Sequence, residues 1–478
     1  MRSKVMLRFV GSFLQVFGAL VLLPLLVNIY YQGPEVAAIG FLTSAGTALI
    51  MGTALKLYSD AGSPSVSEAM LATVLGWFLA TIIGAMPFIP YMTVIDAIFE
   101  SSAGITTTGI SMVAEPSKLP QSVLFWRSFM QWIGGLGILT FFIAVVRESG
   151  GASRRLFSAE AHKTDSGSIR PSLTKSVAAL WKVYGFMTAL IIGTFIAFRV
   201  SVFESLLHGF STISTGGFST EGASIAAYNS PGLEAFTVLF MFIGGVNFVL
   251  LHKFFRSEFS PLWKSSEFRL YTKIFLAVAA VMSLELWMKT SNIGHSVLDG
   301  AFQAAAVVSS TGYSTMSFMA FSSAIQLVIV AAMFVGGSLG STAGGVKVFR
   351  LKTLFELLKT RLRAYNLPQT AINEVKIDGE ILESSTVRTI SVLFFSWIAV
   401  VFVSTLLTLV AEDVSLMAAM SGSVSAASNM GPLFLEGEQL RALTPFTKIL
   451  WSVVMLAGRL EMLPMLAIFN SKLLKDSK

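Results

Sequence analysis

A short stretch of hydroxyl residues ending in glycine occurs four times in this chain. It first reads Ile105-Thr106-Thr107-Thr108-Gly109 and then returns in altered form. The four stretches, called loops 1 to 4 from here on, are residues 105–109, 213–216, 309–312 and 428–431. Each loop follows a short run of small and apolar residues and lies between longer apolar runs. This repetition predicts four copies of one structural unit packed side by side.

The longer apolar runs do not suit a water-soluble domain. The chain of 478 residues is 54% hydrophobic and 13% charged, with a mean hydropathy of +0.72, whereas about 25% of the residues of a soluble domain are charged. Apolar runs of about 20 residues cross a bilayer as helices, because a helix satisfies its own backbone hydrogen bonds. The sequence therefore predicts an all-α polytopic membrane protein.

The predicted spans divide the chain into an N-terminal part and four similar units. Residues 1–67 hold two apolar runs, 9–29 and 36–57, which we interpret as retained helices, because a signal peptide would be shorter and end in small residues. Each unit consists of a leading span, a short pore helix, a loop and a trailing span. The units are residues 68–147, 176–252, 267–358 and 385–473. This organisation predicts ten full spans and four half-spanning pore helices around one central pore.

The distribution of lysine and arginine predicts how the chain is oriented in the membrane. With the N-terminus in the cytoplasm, the inner segments hold 26 of the 34 Lys and Arg residues, as expected of short cytoplasmic loops. Both termini and the connecting segments 148–175 and 359–384 then lie in the cytoplasm, and all four loops face outward. The net charge of +7 therefore reflects orientation and does not predict a nucleic-acid partner. Within the second connecting segment, Asp378-Gly379 predicts a tight hairpin turn.

The composition of the loops suits a cation. Backbone carbonyl groups can replace the water shell of an ion, and glycine lets the chain turn them toward a common axis. The C-terminal end of each pore helix adds a partial negative charge, worth up to about 2 kcal/mol when partly buried. The position ten residues before the loop glycine is occupied by Phe99, Leu206, Phe302 and Ser421. The pore helices of units 1 to 3 therefore share a register, with a large apolar residue at this position, whereas unit 4 has a serine there. The passenger is predicted to be a cation.

A second alignment, in the trailing spans, singles out Arg459. Units 1 to 3 have a glycine pair at 134–135, 244–245 and 336–337, whereas unit 4 has Gly458-Arg459. An arginine near the middle of a span costs roughly 2.5–3.5 kcal/mol on insertion scales unless it faces water or a partner. We therefore expect Arg459 to point into the pore below the loops, as a barrier to cations. The alternative is a salt bridge with Glu461 or with a carboxylate of a pore helix.

The trailing span of unit 3 contains a glycine-rich segment, residues 336–345. Its five glycines are Gly336, Gly337, Gly340, Gly344 and Gly345. Unwound backbone at membrane depth survives only where protein or a water-filled cavity surrounds it. We expect this segment to be a mobile gate under the loops, with Lys347 coupling it to the cytoplasmic side. Close helix packing through small residues is the alternative.

Four acidic residues lie in or beside the pore helices. Asp96 and Asp299 are interpreted as caps at helix starts, where the helix dipole is positive. Glu100 and Glu204 could serve in the same way or could shape the outer ion entry. The sequence leaves both roles open.

Several enzyme and metal-site classes have no support in the sequence. The chain has no cysteine, and its four histidines, at 162, 208, 252 and 295, do not have metal-ligand spacing. It also has no Gly-x-x-x-x-Gly-Lys-Ser/Thr phosphate loop, so any nucleotide effect has to come through a partner. We therefore expect no enzyme activity and no bound cofactor. The membrane potential, about 2.3 kcal/mol per charge per 100 mV, would drive the ion.

Several motifs together resemble a known transporter superfamily. They are the four loops, Phe125-Trp126-Arg127-Ser128, Gln131-Trp132-Ile133-Gly134-Gly135, Gly344-Gly345-Val346-Lys347 and Gly458-Arg459-Leu460-Glu461. Over nearly its whole length the chain resembles the Trk/Ktr/HKT superfamily of cation transporters. Its two extra N-terminal spans make it most similar to the TrkH group, the membrane subunits of bacterial Trk potassium uptake systems.

The resemblance implies potassium passage across the bacterial cytoplasmic (inner) membrane. It implies a filter formed by Thr107, Thr108, Gly109, Ser214, Thr215, Gly216, Ser310, Thr311, Gly312, Asn429, Met430 and Gly431. In this superfamily glycine at all four filter positions accompanies potassium preference, and Gly109 fits that pattern. Met430 departs from the hydroxyl pattern, so the resemblance leaves open how the fourth loop contributes to ion selectivity. The implied partners are a second copy, giving a homodimer with one pore per chain, and a cytosolic ring of nucleotide-binding TrkA-like subunits.

Two alternatives to gated potassium conduction remain at this point. One is potassium symport with protons or sodium, which would need a titrating carboxylate at mid-membrane. Glu285 and Glu461 are the main candidates in the spans, and their scarcity favours conduction. The other alternative is a sodium-permeable member of the same superfamily.

Overall fold

The structure is a computed structural model in which helices account for nearly all regular secondary structure. It describes residues 3–149, 173–366 and 374–465, except 61, 63, 436 and 463. Most of the predicted connecting segment 148–175, part of the segment 359–384 and the C-terminal end of unit 4 therefore lie outside the described residues.

The N-terminal part is a helical hairpin. Helices Ser3–Val21 and Leu23–Tyr30 form one apolar stretch, with a proline in the first turn of the second helix, and Glu35–Leu57 returns beside them. The two arms pack closely, because a Cβ on Gly11 would lie only 2.6 Å from the carbonyl oxygen of Gly52. Helix Ser3–Val21 also packs against the first span of unit 1.

The four units repeat one order of helices. The leading spans are Val66–Ala85, Leu173–Ala197, Ser266–Thr290 and Ser384–Ala411. The pore helices are Val94–Ile105, Val202–Ile213, Ile293–Val308 and Leu416–Ser428. The trailing segments are Gln121–Ser149, Pro231–Gly244 with Phe248–Phe255, Ser323–Val335 with Val348–Ala364, and Pro445–Arg459. Short helices Ser260–Lys264 and Glu438–Arg441, and 3₁₀ turns Met86–Phe88, Pro116–Lys118, Ser224–Tyr228 and Phe318–Ala320, complete the helical elements.

The trailing segments are less regular than the ten straight spans of the sequence prediction. Among the described residues, six helices are long and apolar enough to cross a bilayer, and a seventh span is obtained if a bent pair is counted as one. That pair is Pro231–Gly244 and Phe248–Phe255, which meet at 111°. The bend has a local cause: the side chain of Asn247 accepts a hydrogen bond from the backbone N–H of Val249, at 2.8 Å, and starts a new helix. In unit 3 the helix stops at Val335, and in unit 4 it ends at Arg459.

The units close into a ring. The trailing segment of each of units 1, 2 and 3 packs against the pore helix of the next unit, and the trailing segment of unit 4 packs against the pore helix of unit 1. An ion pair joins this last contact, because Lys448 Nζ lies 2.6 Å from Asp96 Oδ1. Four units in cyclic contact necessarily surround an axis.

A small hairpin lies in the second connecting segment. Strands Lys376–Ile377 and Glu380–Ile381 pair antiparallel, and the turn residues Asp378 and Gly379 have φ of 52° and 85°. Two successive positive φ values are typical of the hairpin turns that fit strand twist, so the predicted turn is confirmed. Ile377 packs in a small cluster with Phe349 and Ile390.

Candidate functional site: four loops around an axis

The pore helices begin and end in the same way. Each N-cap side chain accepts a hydrogen bond from the backbone N–H three residues later, and the caps are Thr93, Ser201, Asn292 and Ser415. At the other end, each helix runs directly into its loop. The partial negative charge of four helix ends is therefore directed at the loops.

Each loop contains a non-glycine residue in the left-handed region. The φ values are 58° at Thr107, 53° at Thr215, 60° at Ser310 and 51° at Asn429. In all four, the N–H of this residue donates to the carbonyl oxygen three residues earlier. A positive φ is costly for a β-branched residue such as threonine, and such strain is concentrated at functional sites.

The structural register differs from the predicted one in unit 2. Thr107 and Thr215 are equivalent, so the residue that matches Gly109 (φ 80°) is Gly217 (φ 75°) and not Gly216. The position ten residues before Gly217 is Leu207, which is fully buried like Phe99, Phe302 and Ser421, whereas Leu206 is only partly buried. Unit 2 is therefore shifted by one residue, and loop 2 extends to Gly217. Two adjacent glycines hide this shift in the sequence.

The four loops contact one another in cyclic order. A Cβ on Gly109 would lie 2.1 Å from the carbonyl oxygen of Gly216, and one on Gly217 would lie 1.9 Å from that of Thr311. A Cβ on Gly312 would lie 2.7 Å from the backbone nitrogen of Gly431. The fourth contact is a hydrogen bond of 3.1 Å from the side chain of Asn429 to Thr108 Oγ1. The loops therefore meet around one axis, and glycine at these positions leaves room for the neighbouring backbone.

In each loop, the carbonyl group of the non-glycine residue with positive φ accepts no hydrogen bond among the described residues. Within the described parts of the chain, no hydrogen bond ends on the carbonyl oxygens of Thr107, Thr215, Ser310 or Asn429, although all four residues are at most 1% exposed. A buried carbonyl group without a partner is costly. A ring of four such groups is suited to a desolvated cation.

Loop side chains bond to one another and to the surrounding helices. Thr106 and Thr108 share a hydrogen bond of 2.7 Å between their hydroxyl groups, and Ser309 and Thr311 share an equivalent one. The amide of Asn429 also donates to the carbonyl oxygen of Met455, at 2.8 Å. These contacts occupy the hydroxyl groups of Thr106, Thr108, Ser309 and Thr311 and the amide of Asn429, so an ion ligand from these residues has to come from the main chain. They also mean that the apolar side chain of Met430 does not itself exclude loop 4 from binding.

The glycine-rich segment lies directly below the loops and contacts three units. Gly344 N–H donates to Ser310 Oγ at 2.7 Å, and Gly345 N–H donates to the carbonyl oxygen of Ser428 at 3.0 Å. Thr342 Oγ1 donates to the carbonyl oxygen of Ile213, at the end of pore helix 2, at 2.9 Å. Gly336, Gly340 and Gly345 have φ values of 70°, 71° and 81°, so the segment is an irregular loop and not a helix packed through small residues. Gly337 lies in the same turn, with its N–H directed at the carbonyl oxygen of Gly344.

Arg459 crosses the same level from unit 4. Its guanidinium donates to the carbonyl oxygens of Thr342 (2.9 Å), Gly134 (2.6 Å) and Gly135 (2.9 Å). The residue is 7% exposed. Glu461 instead forms an ion pair with Arg350, so the predicted alternative of an Arg459–Glu461 salt bridge is not observed. The side chain thus links units 1, 3 and 4 below the loops.

Lys347 lies immediately after the glycine-rich segment and is turned back onto it. Its Nζ donates to the carbonyl oxygen of Ala343, and its φ is 80°. The next basic residue, Arg350, carries the ion pair with Glu461. Lys347 therefore contacts the glycine-rich segment, and Arg350, three residues later, contacts unit 4 through Glu461.

The acidic residues of the pore helices have distinct surroundings. Glu100 is fully buried and lies 2.8 Å from Arg127, so it does not face an outer entry. Asp96 and Glu204 are in first turns, bonded to the caps Thr93 and Ser201. Asp299 is inside pore helix 3, which begins at Ile293, and it accepts a hydrogen bond from Thr315. The expected cap at Asp299 is therefore wrong.

Two side chains that the sequence does not single out bond carbonyl groups of the loops. Gln131, in the trailing segment of unit 1, donates to the carbonyl oxygen of Gly216 at 2.7 Å. Ser425, in pore helix 4, donates to that of Met430. In the sequence, Gln131 is a polar residue inside a long apolar span, which indicates a buried polar contact. No sequence rule assigns its partner 85 residues away.

This arrangement defines a class: a polytopic membrane protein with four re-entrant loops around a single axis, suited to cation transport. A family model for TrkH, described as a cation transport protein, matches residues 41–477. The chain belongs to this family.

Individual relatives align with this chain over nearly their whole length. The TrkH potassium uptake protein of the Trk system of Salmonella typhimurium is 29% identical, covering 98% of this chain and 99% of its own length. The Vibrio parahaemolyticus protein of the same name is 30% identical with the same coverage. An uncharacterised cation transporter of Methanocaldococcus jannaschii is 29% identical. The crystal structure of the potassium transporter TrkH from Vibrio parahaemolyticus superposes with a TM-score of 0.86 at 27% identity, covering 99% of this chain and 100% of that one.

Proposed function

We propose that this chain mediates potassium uptake across the bacterial cytoplasmic membrane through one gated pore. The single observation that carries the proposal is the ring of four buried carbonyl groups, at Thr107, Thr215, Ser310 and Asn429, with no donor among the described residues. Carbonyl oxygens in a closed ring can replace the hydration shell of potassium. Full-length relatives that are potassium uptake proteins support the choice of ion.

The proposed route of the ion follows the axis of the ring. The ion would lose water at the loops, where Thr108, Gly109, Gly216, Gly217, Thr311, Gly312, Met430 and Gly431 complete the filter. In the shifted register of loop 2, Gly217 takes the place of Gly109, and the predicted filter residue Ser214 corresponds to Thr106. Below the filter it would meet the glycine-rich segment, which has to move aside, and the positive charge of Arg459, which raises the barrier. The membrane potential would supply about 2.3 kcal/mol per charge per 100 mV.

Uncoupled conduction is supported by the partners of the two candidate carboxylates, Glu285 and Glu461, because both are held in ion pairs. Glu285 lies 2.5 Å from Lys289 and accepts two hydrogen bonds from Ser322. Glu461 is paired with Arg350. A carboxylate that couples protons to transport has to be free to titrate within the ion path, and neither one has that environment. We therefore place potassium symport second.

The regulatory partners belong to the same proposal. Both termini and both connecting segments would face the cytoplasm, the chain would form a homodimer with one pore in each copy, and a ring of TrkA-like subunits would transmit a nucleotide signal to the glycine-rich segment through Lys347. The relatives that are components of a Trk system support this arrangement.

Ion uptake into liposomes tests the proposal. Purified protein is reconstituted into vesicles, and the initial rates for potassium, rubidium, sodium and lithium are compared with those of protein-free vesicles. We expect potassium and rubidium to enter much faster than sodium and lithium. Equal rates for all four ions, or none above the protein-free rate, would overturn it.

Reversal potentials in planar bilayers separate conduction from symport. At fixed potassium gradient, conduction predicts a value that does not change with pH or with a sodium gradient. A value that follows either gradient would favour the symport alternative.

A further inference from the structure

The second carbonyl level of the ring is not fourfold. This level consists of Thr108, Gly216, Thr311 and Met430, each one residue after the residue with positive φ. In the described residues, the carbonyl oxygens of Thr108 and Thr311 accept no hydrogen bond. Those of Gly216 and Met430 each accept one from a buried side chain, Gln131 and Ser425. In the cyclic order of the units the two free groups face each other, and so do the two bonded groups.

Gln131 occupies the space that a side chain of Gly216 would fill. A Cβ built on Gly216 would lie 2.3 Å from Cδ of Gln131 and 2.5 Å from its Oε1. The other three loops carry Thr108, Thr311 and Met430 at this position, all of which have side chains of their own. Loop 2 therefore receives its side chain at this position from the neighbouring unit.

The same amide holds loop 2 at two points. Gln131 Nε2 donates to the carbonyl oxygen of Gly216 at 2.7 Å, and Gln131 Oε1 accepts from the N–H of Phe218 at 3.2 Å. These two atoms flank Gly217, whose φ of 75° gives the loop its turn. Gln131 itself is 0% exposed, so water does not compete for these bonds.

We infer that Gln131 and Ser425 determine how strongly the pore prefers potassium to sodium. Both act as positioning residues, because each bonds a loop carbonyl group and neither has to touch the ion. The inference rests on the proposed function.

Two physical effects of these hydrogen bonds both favour potassium over sodium. A donated hydrogen bond fixes a carbonyl group in position, so the ring cannot contract around a smaller ion. It also occupies part of the oxygen lone-pair density, which lowers the field at the ion, and a weaker field favours the larger ion. Cavity size and field strength are the two competing accounts of such selectivity, and loss of the bond increases relative sodium passage in both.

The test replaces each donor by a side chain of similar shape without one. Gln131→Met and Ser425→Ala are reconstituted in liposomes, and the ratio of sodium to potassium uptake is measured beside the unaltered protein. We expect each variant to raise the ratio by about threefold to tenfold, the range of one hydrogen bond. Because Ser425→Ala removes a single atom, it keeps the test informative if Gln131→Met folds poorly.

The matched control is Gln303→Met. Gln303 is also a fully buried glutamine that bonds a backbone carbonyl group, that of Met316 at 2.9 Å, but this group lies outside the loops. Its ratio should equal that of the unaltered protein. If Gln131→Met and Ser425→Ala keep the original ratio, or if Gln303→Met changes it equally, the inference fails. If the unaltered protein itself does not discriminate between the ions, the proposed function fails instead.

Discussion

Arg459 donates a hydrogen bond to the carbonyl oxygen of Thr342, with 2.9 Å between Nη1 and the oxygen. This contact joins the last helix of unit 4 to the glycine-rich segment of unit 3, and a second amino group extends it to Gly134 and Gly135 of unit 1. All three acceptors are neutral carbonyl groups. The positive charge therefore stays uncompensated by these bonds, directly below the loops.

Removal of this charge should increase flux. In Arg459→Gln, the side chain can still donate to a carbonyl group, but the positive charge that we propose as a barrier to cations is removed. We expect the initial rate of rubidium uptake into liposomes to rise at least about fivefold, which corresponds to about 1 kcal/mol of barrier. Arg459→Lys keeps the charge and should stay near the original rate. An unchanged rate in Arg459→Gln would argue against a barrier at this position.

The position of the glycine-rich segment against the loops depends on a close approach at Gly344. A Cβ there would lie 1.8 Å from the carbonyl oxygen of Ser428, which belongs to loop 4. Gly344→Ala should push the segment away from the loops and raise basal rubidium uptake in the absence of any partner subunit. Gly46→Ala, which has no atom within 4 Å of the added carbon, is the control. Basal uptake equal to that of Gly46→Ala would remove the segment from gating.

The shifted register of loop 2 makes Gly217 a critical residue. Its φ of 75° and the 1.9 Å from an added Cβ to the carbonyl oxygen of Thr311 both exclude a side chain. Gly217→Ala should reduce potassium uptake more than tenfold, and Gly109→Ala should do the same, since the two positions are equivalent. Protein that elutes as a single species in detergent is required for the comparison. Normal uptake by Gly217→Ala would contradict the structural register.

A buried ion pair supports the loops from outside the ring. Arg127 lies 2.8 Å from Glu100, and its guanidinium also donates to the carbonyl oxygen of Ser219 at 3.2 Å. Both ion-pair partners are at most 2% exposed. Arg127→Met leaves a carboxylate buried without its cation, and such a change costs about 3–5 kcal/mol.

Thermal unfolding in detergent measures this cost. The double variant Glu100→Gln with Arg127→Met removes both charges and should unfold at a higher temperature than Arg127→Met alone. If the single and double variants unfold at the same temperature, the carboxylate is not the source of the loss.

Much of the architecture could be predicted from local patterns. Apolar runs of membrane length and four hydroxyl-glycine loops identify the repeat, because each pattern is contained within a few neighbouring residues. The turn at Asp378-Gly379 was found for the same reason. Only the direct succession of Gly216 and Gly217 obscured the register, since either glycine satisfies the pattern and only the backbone angles distinguish them.

The contacts between units could not be predicted in this way. Gln131 and Gly216 are 85 residues apart, and Asn429 and Thr108 are 321 apart. Such pairings follow from the closure of the ring, which no single stretch of sequence specifies. The bend at Asn247 cannot be predicted from the pattern, because its capping side chain lies inside an apolar run that has the composition of one straight helix.

Anomalous scattering from rubidium or thallium bound to the purified protein tests the central claim most directly. The claim is that carbonyl groups from all four units bind one alkali ion between them. We expect an anomalous peak on the axis of the ring, in coordination distance of the carbonyl oxygens of Thr107, Thr215, Ser310 and Asn429. A map with no peak between the loops, or with the ion bound only elsewhere, would contradict the account.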